Sequence, residues 1–297
     1  MVDTNALSKA RQKIDRIDDQ LHDLIIERAI ISKEIQNLKK ESSIKIRPGR
    51  EAQIIYRLLD RHKSNFPVQE LIRVWREIIT GSLRMQGPFS IAVVEPDGEP
   101  DYCNLARDQY GSFSPIHRYS SCQAVVEAIR QDKATVGVLP WPERGADDIW
   151  LRFIAFDSDE TPKIIARLPF AGPSNIKKNY LESAVIAKLS QEETGHDSSL
   201  IAIESTIGIS EVEVQKAIEH VKFEFNSCFL WTNHDQPKIS MYFVEIANFV
   251  DPNGTIASSL KQYFEGKVSD VIHLGGYALP PQNFRSDKFL SDRKQDG

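Results

Sequence analysis

Apolar residues recur at steps of three and four along the start of the chain: Leu7, Ala10, Ile14, Ile17, Leu21 and Leu24, then Ile31, Ile35 and Leu38. This is the coiled-coil repeat, and no Gly or Pro interrupts it before Pro48 and Gly49. It predicts one helix of about 35 residues, or about 50 Å at 1.5 Å rise per residue. A helix that long is unstable alone in water and needs a partner along its length. Pro48-Gly49 is expected to end it. A second helix follows over 50–61. Ser64-Asn65 is expected to cap a third, with Pro67 in its first turn, running to about Gln86 with the stripe Ile72, Trp75, Ile79, Ser82 and Gln86. Two short helices cannot cover the long one from a single chain, so a homodimer that shares helices is expected.

The residues that break the stripes carry the chemistry. The repeat that places Leu24 and Ile31 inside also places Arg28 inside; Lys39 lies four residues after Ile35, and Arg11 four after Leu7. Arg28 and Lys39 share a face with Cα atoms roughly 16 Å apart, room for a small molecule between long side chains. Ser82 and Gln86 share a face of the third helix at i, i+4. Buried cations without partners are costly. Either they pair with Asp15, Asp18 or Glu34, or an anionic ligand completes them. Taken singly, each reads as a register-setting or snorkelling residue; five together in a short bundle point to a site.

Charge sharpens this picture. The net charge is −5, but residues 1–87 hold 17 Lys and Arg against 12 Asp and Glu, a net of +5, and the remainder carries −10. A basic segment on an acidic protein suggests an anionic ligand. The cations alternate with acids and no aromatic platform accompanies them, which disfavours nucleic acid. No apolar run approaches a membrane span and residues 1–12 have no apolar signal core, so a cytoplasmic protein is expected. Cys103, Cys122 and Cys228 are an odd, scattered set that suits reduced thiols, and neither they nor the histidines show metal-ligand spacing.

Residues 6–87 resemble the all-helical chorismate mutases, which are intertwined dimers of three-helix chains. The resemblance runs from Arg11-Gln12-Lys13-Ile14-Asp15 through Leu24-Ile25-Ile26-Glu27-Arg28 to Lys39, resumes at Arg50-Glu51, and closes with Ile78-Ile79 and Ser82-Leu83-Arg84-Met85-Gln86. It implies rearrangement of chorismate to prephenate with no cofactor and no metal. By position it implies that Arg28 holds one substrate carboxylate and Arg11 of a partner chain, with Arg50, the other. Lys39 and Gln86 would meet the ether oxygen, Glu51 would accept from the ring hydroxyl, and Ser82 would bond a carboxylate. Arg47 departs from the family, which often has an acid there; its main-chain N–H remains available to the ring hydroxyl.

After Gly87-Pro88, strands are expected at 89–94 and 134–139 and helices at 102–110 and 122–131, a small α/β layer. This stretch resembles the first lobe of prephenate dehydratase, on Glu95-Pro96-Asp97-Gly98, Cys103-Asn104-Leu105-Ala106, Ser120-Ser121 and Val136-Gly137-Val138-Leu139-Pro140. That family's Pro-x-Glu-Asn-Ser is replaced by Pro140-Trp141-Pro142-Glu143-Arg144, and its Thr-Arg-Phe by Leu181-Glu182-Ser183-Ala184. A non-catalytic region is therefore expected, with a bifunctional mutase-dehydratase and a non-catalytic scaffold as alternatives. From Ser198 a βαββαβ order is expected, the ferredoxin-like signature. It resembles the ACT regulatory domain, ending in Leu274-Gly275-Gly276-Tyr277, but Gly208-Ile209-Ser210 and Trp231-Thr232-Asn233-His234 replace its ligand motifs. The expected organisation is thus multidomain, α and α+β: 1–87 a helical mutase domain, 88–190 a partial dehydratase-like lobe, 191–283 an ACT-like domain, and 284–297 a disordered tail.

Overall fold

The computed structural model describes residues 4–38, 46–95, 101–143, 149–171, 181–232 and 239–281. Lys39, Pro96-Asp97-Gly98, Arg144, Asn233-His234 and the tail 284–297 lie outside them.

Three helices open the chain: α1 (Thr4–Leu38), α2 (Pro48–Arg61) and α3 (Val68–Met85). Two boundaries depart from expectation. Pro48 is the first residue of α2, where a missing N–H costs nothing, rather than the stop of the preceding helix. Ser64 does not cap α3, which follows Pro67 without a side-chain cap; the Ser64 hydroxyl instead accepts from Phe66 N at 3.2 Å inside the preceding turn. Ala52 and Ile55 of α2 pack with Ile72 of α3 and with Phe170 from farther along the chain. The stripe of α1 has no such cover: Ile14 is 57% exposed, Ile17 54% and Leu24 59%.

The remainder builds one nine-stranded mixed sheet from β1 (Ile91–Val94), β2 (Ile116–Tyr119), β3 (Val136–Pro140), β4 (Lys163–Leu168), β5 (Ser183–Ala187), β6 (Asp197–Ser205), β7 (Phe225–Thr232), β8 (Ser240–Ile246) and β9 (Val268–Ala278). Their order across the sheet is β2-β1-β3-β5-β4-β9-β6-β8-β7. β2, β1 and β3 are parallel; β5 adds antiparallel to β3, and β4 to β5. The strands β2, β4 and β5 add to the two expected in this half. The first two crossovers carry α4 (Tyr102–Tyr110) and α5 (Cys122–Arg130), started by Asp101 accepting from Asn104 N and Ser121 accepting from Ala124 N.

The second half has the expected βαββαβ order, with α6 (Glu211–His220) between β6 and β7 and α7 (Ile256–Tyr263) between β8 and β9. A capping box of Ser210 and Glu213 starts α6. Both helices bury one face in a core of their own, with Val214, Ile218 and Leu260 against Ile203 and Val244. The two halves join where β4 meets β9 at Ile164 and Gly275. A Cβ at Gly275 would stand 2.2 Å from the Ile164 carbonyl oxygen, and its φ of +110° is in the region that favours glycine.

The helical segment is packed onto this sheet. Ile46 and Leu83 belong to the same buried cluster as Phe89, Leu139, Ile186 and Tyr277. Tyr56 OH donates to the Leu279 carbonyl, Arg73 pairs with Asp108 of α4, and Glu77 accepts from Ser112 N at 3.1 Å. Cys103, Cys122 and Cys228 form no disulfide among the described residues. No helix among the described residues is long and apolar enough to cross a membrane.

Candidate active site

α1, α2 and α3 enclose a cleft of about 750 Å³. Six residues singled out from the sequence line it: Arg28, Arg47, Arg50, Glu51, Ser82 and Gln86. Leu24, Ile31, Ile35, Ile54 and Ile79 supply its apolar surface. Arg11 stands exposed more than three turns away along α1 and does not line it.

The polar groups are held by one another. Arg28 Nη1 donates to Ser82 Oγ at 2.8 Å, and that hydroxyl donates to the Ile78 carbonyl at 2.9 Å. Gln86 Nε2 donates to Ser32 Oγ at 2.7 Å, four residues after Arg28 on the same face of α1. Arg28 thus pairs with a hydroxyl rather than with Asp15, Asp18 or Glu34. Burial, and then the neighbouring Arg50, depress its pKa.

Glu51 is buried at the end of the cleft and pairs with Arg76 Nη1 of α3 at 3.0 Å. Arg76 is also buried, and its guanidinium lies 5.1 Å from the centre of the Phe170 ring. Burial pushes the Glu51 carboxyl up to about 7, against the pull of Arg76 and with a further push from Glu192. Burial likewise depresses the Arg76 pKa, opposed by Glu51. At neutral pH Glu51 is therefore poised between accepting and donating a hydrogen bond, unlike a surface carboxylate.

Four participants are not among the residues singled out from the sequence. Arg76 follows Ile72 by four residues and precedes Ile79 by three, so it interrupts the third helix as Arg28 interrupts the first; the same spacing test finds it. Ser32 is a small polar residue with no distinguishing local pattern. Glu192 and Glu193 line the cleft from the far side of β5, and no local signal could have placed them there.

A second cluster stands at Pro140-Trp141 and Glu182-Ser183, the two stretches that depart from the dehydratase motifs. β3 and β5 bring Pro140 opposite Ser183, and Trp141 N donates to the Glu182 carbonyl at 3.1 Å. Arg167 of β4 stacks 4.1 Å from the Trp141 ring centre, donates to Glu182 Oε2 at 2.7 Å and to Tyr277 OH at 3.1 Å, and lies 3.7 Å from Glu245. Ser183 Oγ is buried there without a hydrogen-bond partner. The two altered stretches, about 40 residues apart in the chain, are thus neighbours in space. No group of three or more potential metal ligands occurs among the described residues.

Residues 10–87 match the family model for chorismate mutase type II. A bifunctional chorismate mutase/prephenate dehydratase of Aquifex aeolicus is 28% identical over 142 residues, 45% of this chain and 38% of that protein. Proteins of the same description from Stutzerimonas stutzeri (30% over 104 residues) and Neisseria gonorrhoeae (33% over 88) cover 33% and 30% of this chain, and 28% and 24% of their own lengths. The matched stretch therefore spans well under half of these relatives. Among solved structures, a quorum-quenching acylase, GqqA, has a TM-score of 0.48 at 10% identity over 66% of this chain and 98% of its own. A prephenate dehydratase from Streptococcus mutans has 0.46 at 12% identity over 65% and 100%. Likeness this loose carries neither fold nor function across. The family match coincides with the three helices and with the residues that build the cleft, so residues 10–87 are a domain of the chorismate mutase type II family.

Proposed function

We propose that the cleft binds chorismate and rearranges it to prephenate, in the biosynthesis of phenylalanine and tyrosine. The observation that carries this is the convergence of Arg28, Arg47, Arg50, Glu51, Ser82 and Gln86 on one cleft. Chorismate is a dianion, and guanidinium forks match its carboxylates. The reaction is pericyclic and needs no nucleophile. It needs a compact chair-like conformer and donors at the ether oxygen, where negative charge develops as the C–O bond breaks. Arg28 with Ser82 would hold one carboxylate, Gln86 and Lys39 would meet the ether oxygen, and Glu51 would bond the ring hydroxyl.

The exposed stripe of α1 supports a homodimer in which a second copy covers Ile14, Ile17 and Leu24 and brings its Arg11 to this cleft. With Arg50 on α2, that side chain would hold the second carboxylate.

For residues 88–283 the relatives favour the bifunctional reading over the non-catalytic one expected from the altered motifs. Their names carry both activities, and the Aquifex aeolicus alignment is longer than the mutase segment. The cluster of Trp141, Arg167, Glu182, Ser183 and Tyr277 supports it, because the two motif positions still meet there. The βαββαβ order of 197–278 supports an ACT-type regulatory unit in a cytoplasmic enzyme of three parts, 1–87, 88–190 and 191–283. Purified protein incubated with chorismate separates the readings. Prephenate alone means a mutase with a non-catalytic second part, phenylpyruvate means a bifunctional enzyme, and unconsumed chorismate sinks both.

A further inference from the structure

The cleft has a wall that the mutase segment does not supply. After β5 the chain passes the N-terminus of α2, and Glu192 and Glu193 face Arg47, Gly49 and Glu51. The Glu192 carboxylate pairs with Arg47 Nε. Gly49 permits the approach: a Cβ there would lie 2.8 Å from Glu192 Cβ and 3.3 Å from its main-chain oxygen, and a neighbour so close would have to shift. The loop is fastened from behind. Gln191 is buried, donates to the Ser198 carbonyl at 3.2 Å and accepts from Ser199 Oγ at 2.8 Å. Asp197 accepts from Thr194 N at 2.8 Å and from Gly195 N at 3.0 Å. Ser198 and Ser199 lie in β6, between β9 and β8, so the sheet itself presents Glu192 to the cleft.

We propose that Glu192 is a positioning residue of the mutase site, carried in from outside the mutase domain to fix Arg47 at the cleft mouth and to set a negative charge against Glu51. The proposal rests on the mutase reading of the cleft and makes the site a composite of two parts of the chain. Glu192 brings a carboxylate to the Arg47 corner of the cleft from 145 positions along the chain. It also stands beside the first turn of α2, whose N-terminal residue has no side-chain cap, and an anion there is favoured by the helix dipole.

The groups facing Glu51 are Arg76 from α3, Tyr110 from α4, Arg47 just before α2 and Arg50 within it, and Glu192 with Glu193 from the loop. Of these, Glu192 raises the Glu51 pKa and Arg76 lowers it. Removing the Glu192 charge should therefore make Glu51 ionise at lower pH.

The experiment uses the full chain and two substitutions. With Glu residues carboxyl-labelled with ¹³C and Glu51 assigned through Glu51→Gln, the Glu51 titration is followed without substrate. Glu192→Gln should lower its midpoint by at least about half a pH unit, and Glu192→Asp, which keeps the charge, should restore most of it. The inflection of kcat/KM for chorismate should move the same way. An unmoved Glu51 midpoint in Glu192→Gln overturns the proposal, as does a moved midpoint with an unmoved kcat/KM profile. Wild-type protein that leaves chorismate untouched would overturn the mutase reading instead, and the substrate-free titration keeps the two failures apart.

Discussion

Arg28 on α1 donates to Ser82 on α3 at 2.8 Å, joining residues 54 positions apart across the floor of the cleft. The contact presets the guanidinium without neutralising it, since a hydroxyl accepts the bond and leaves the charge for a ligand. It also ties the orientation of α1 to that of α3 at the point where substrate would lie.

If Arg28 holds a substrate carboxylate, Arg28→Ala should reduce kcat/KM for chorismate by about two to three orders of magnitude while the fold persists. Ser82→Ala should cost less, about tenfold, because it removes the orientation of the guanidinium and not its charge. Steady-state kinetics with circular dichroism as a fold control decides this. An unchanged kcat/KM in Arg28→Ala would remove that residue from the site.

The Glu51–Arg76 pair predicts an asymmetry between its partners. Arg76→Ala leaves the buried Glu51 carboxyl without its cation and strips the contact with the Phe170 ring, and should destabilise the protein by about 3–5 kcal/mol. Glu51→Gln keeps an acceptor for Arg76 and should cost less. The folded Glu51 carboxyl titrates near 7, above its ordinary 4.5. The folded state therefore binds the extra proton, and this residue's contribution to stability falls as pH rises between those values. Urea denaturation of wild type and Glu51→Gln at pH 5 and pH 7 should show a steeper decline in the wild type.

His273 works in the opposite sense. Burial, and then Lys163, depress its pKa from 6.5 to about 4, and its Nε2 is buried without a hydrogen-bond partner. The unfolded state binds the proton first, so stability falls as pH drops from 6.5 towards 4, by at most about 1.4 kcal/mol per pH unit. Replacing His273 with Gln should flatten that acid limb in the same denaturation series; an unaltered limb would place the loss elsewhere.

The α1 stripe makes a test of assembly. Ile17 is 54% exposed in one chain, and a second copy covering it would make a charge there costly. Analytical ultracentrifugation should find a dimer in the wild type and a shift towards monomer in Ile17→Glu, with mutase activity falling in parallel if Arg11 crosses between chains. A monomeric wild type would sink this arrangement.

Most of the helices were legible because their signals are local. The step of three and four residues from Leu7 to Leu38 fixes the face of α1 whatever packs on it, and the same step exposes Arg28 and Arg76 as intruders. The caps at Asp101, Ser121 and Ser210 act over three residues, so α4, α5 and α6 begin where the residues alone place them. The cap at Ser64 failed for a local reason too, since its hydroxyl serves a neighbouring turn.

What the sequence determined by itself is the set of helices, the βαββαβ order of the second half and six of the polar residues that line the cleft, because spacing along a helix turns directly into position on a face. Tertiary structure alone decided that β4 and β5 complete the sheet, that β4 joins β9 through Gly275, and that Glu192 meets Arg47 across 145 positions. Such pairings depend on which distant strands share a sheet edge and on how closely two backbones can approach, and neither leaves a periodic trace in the chain.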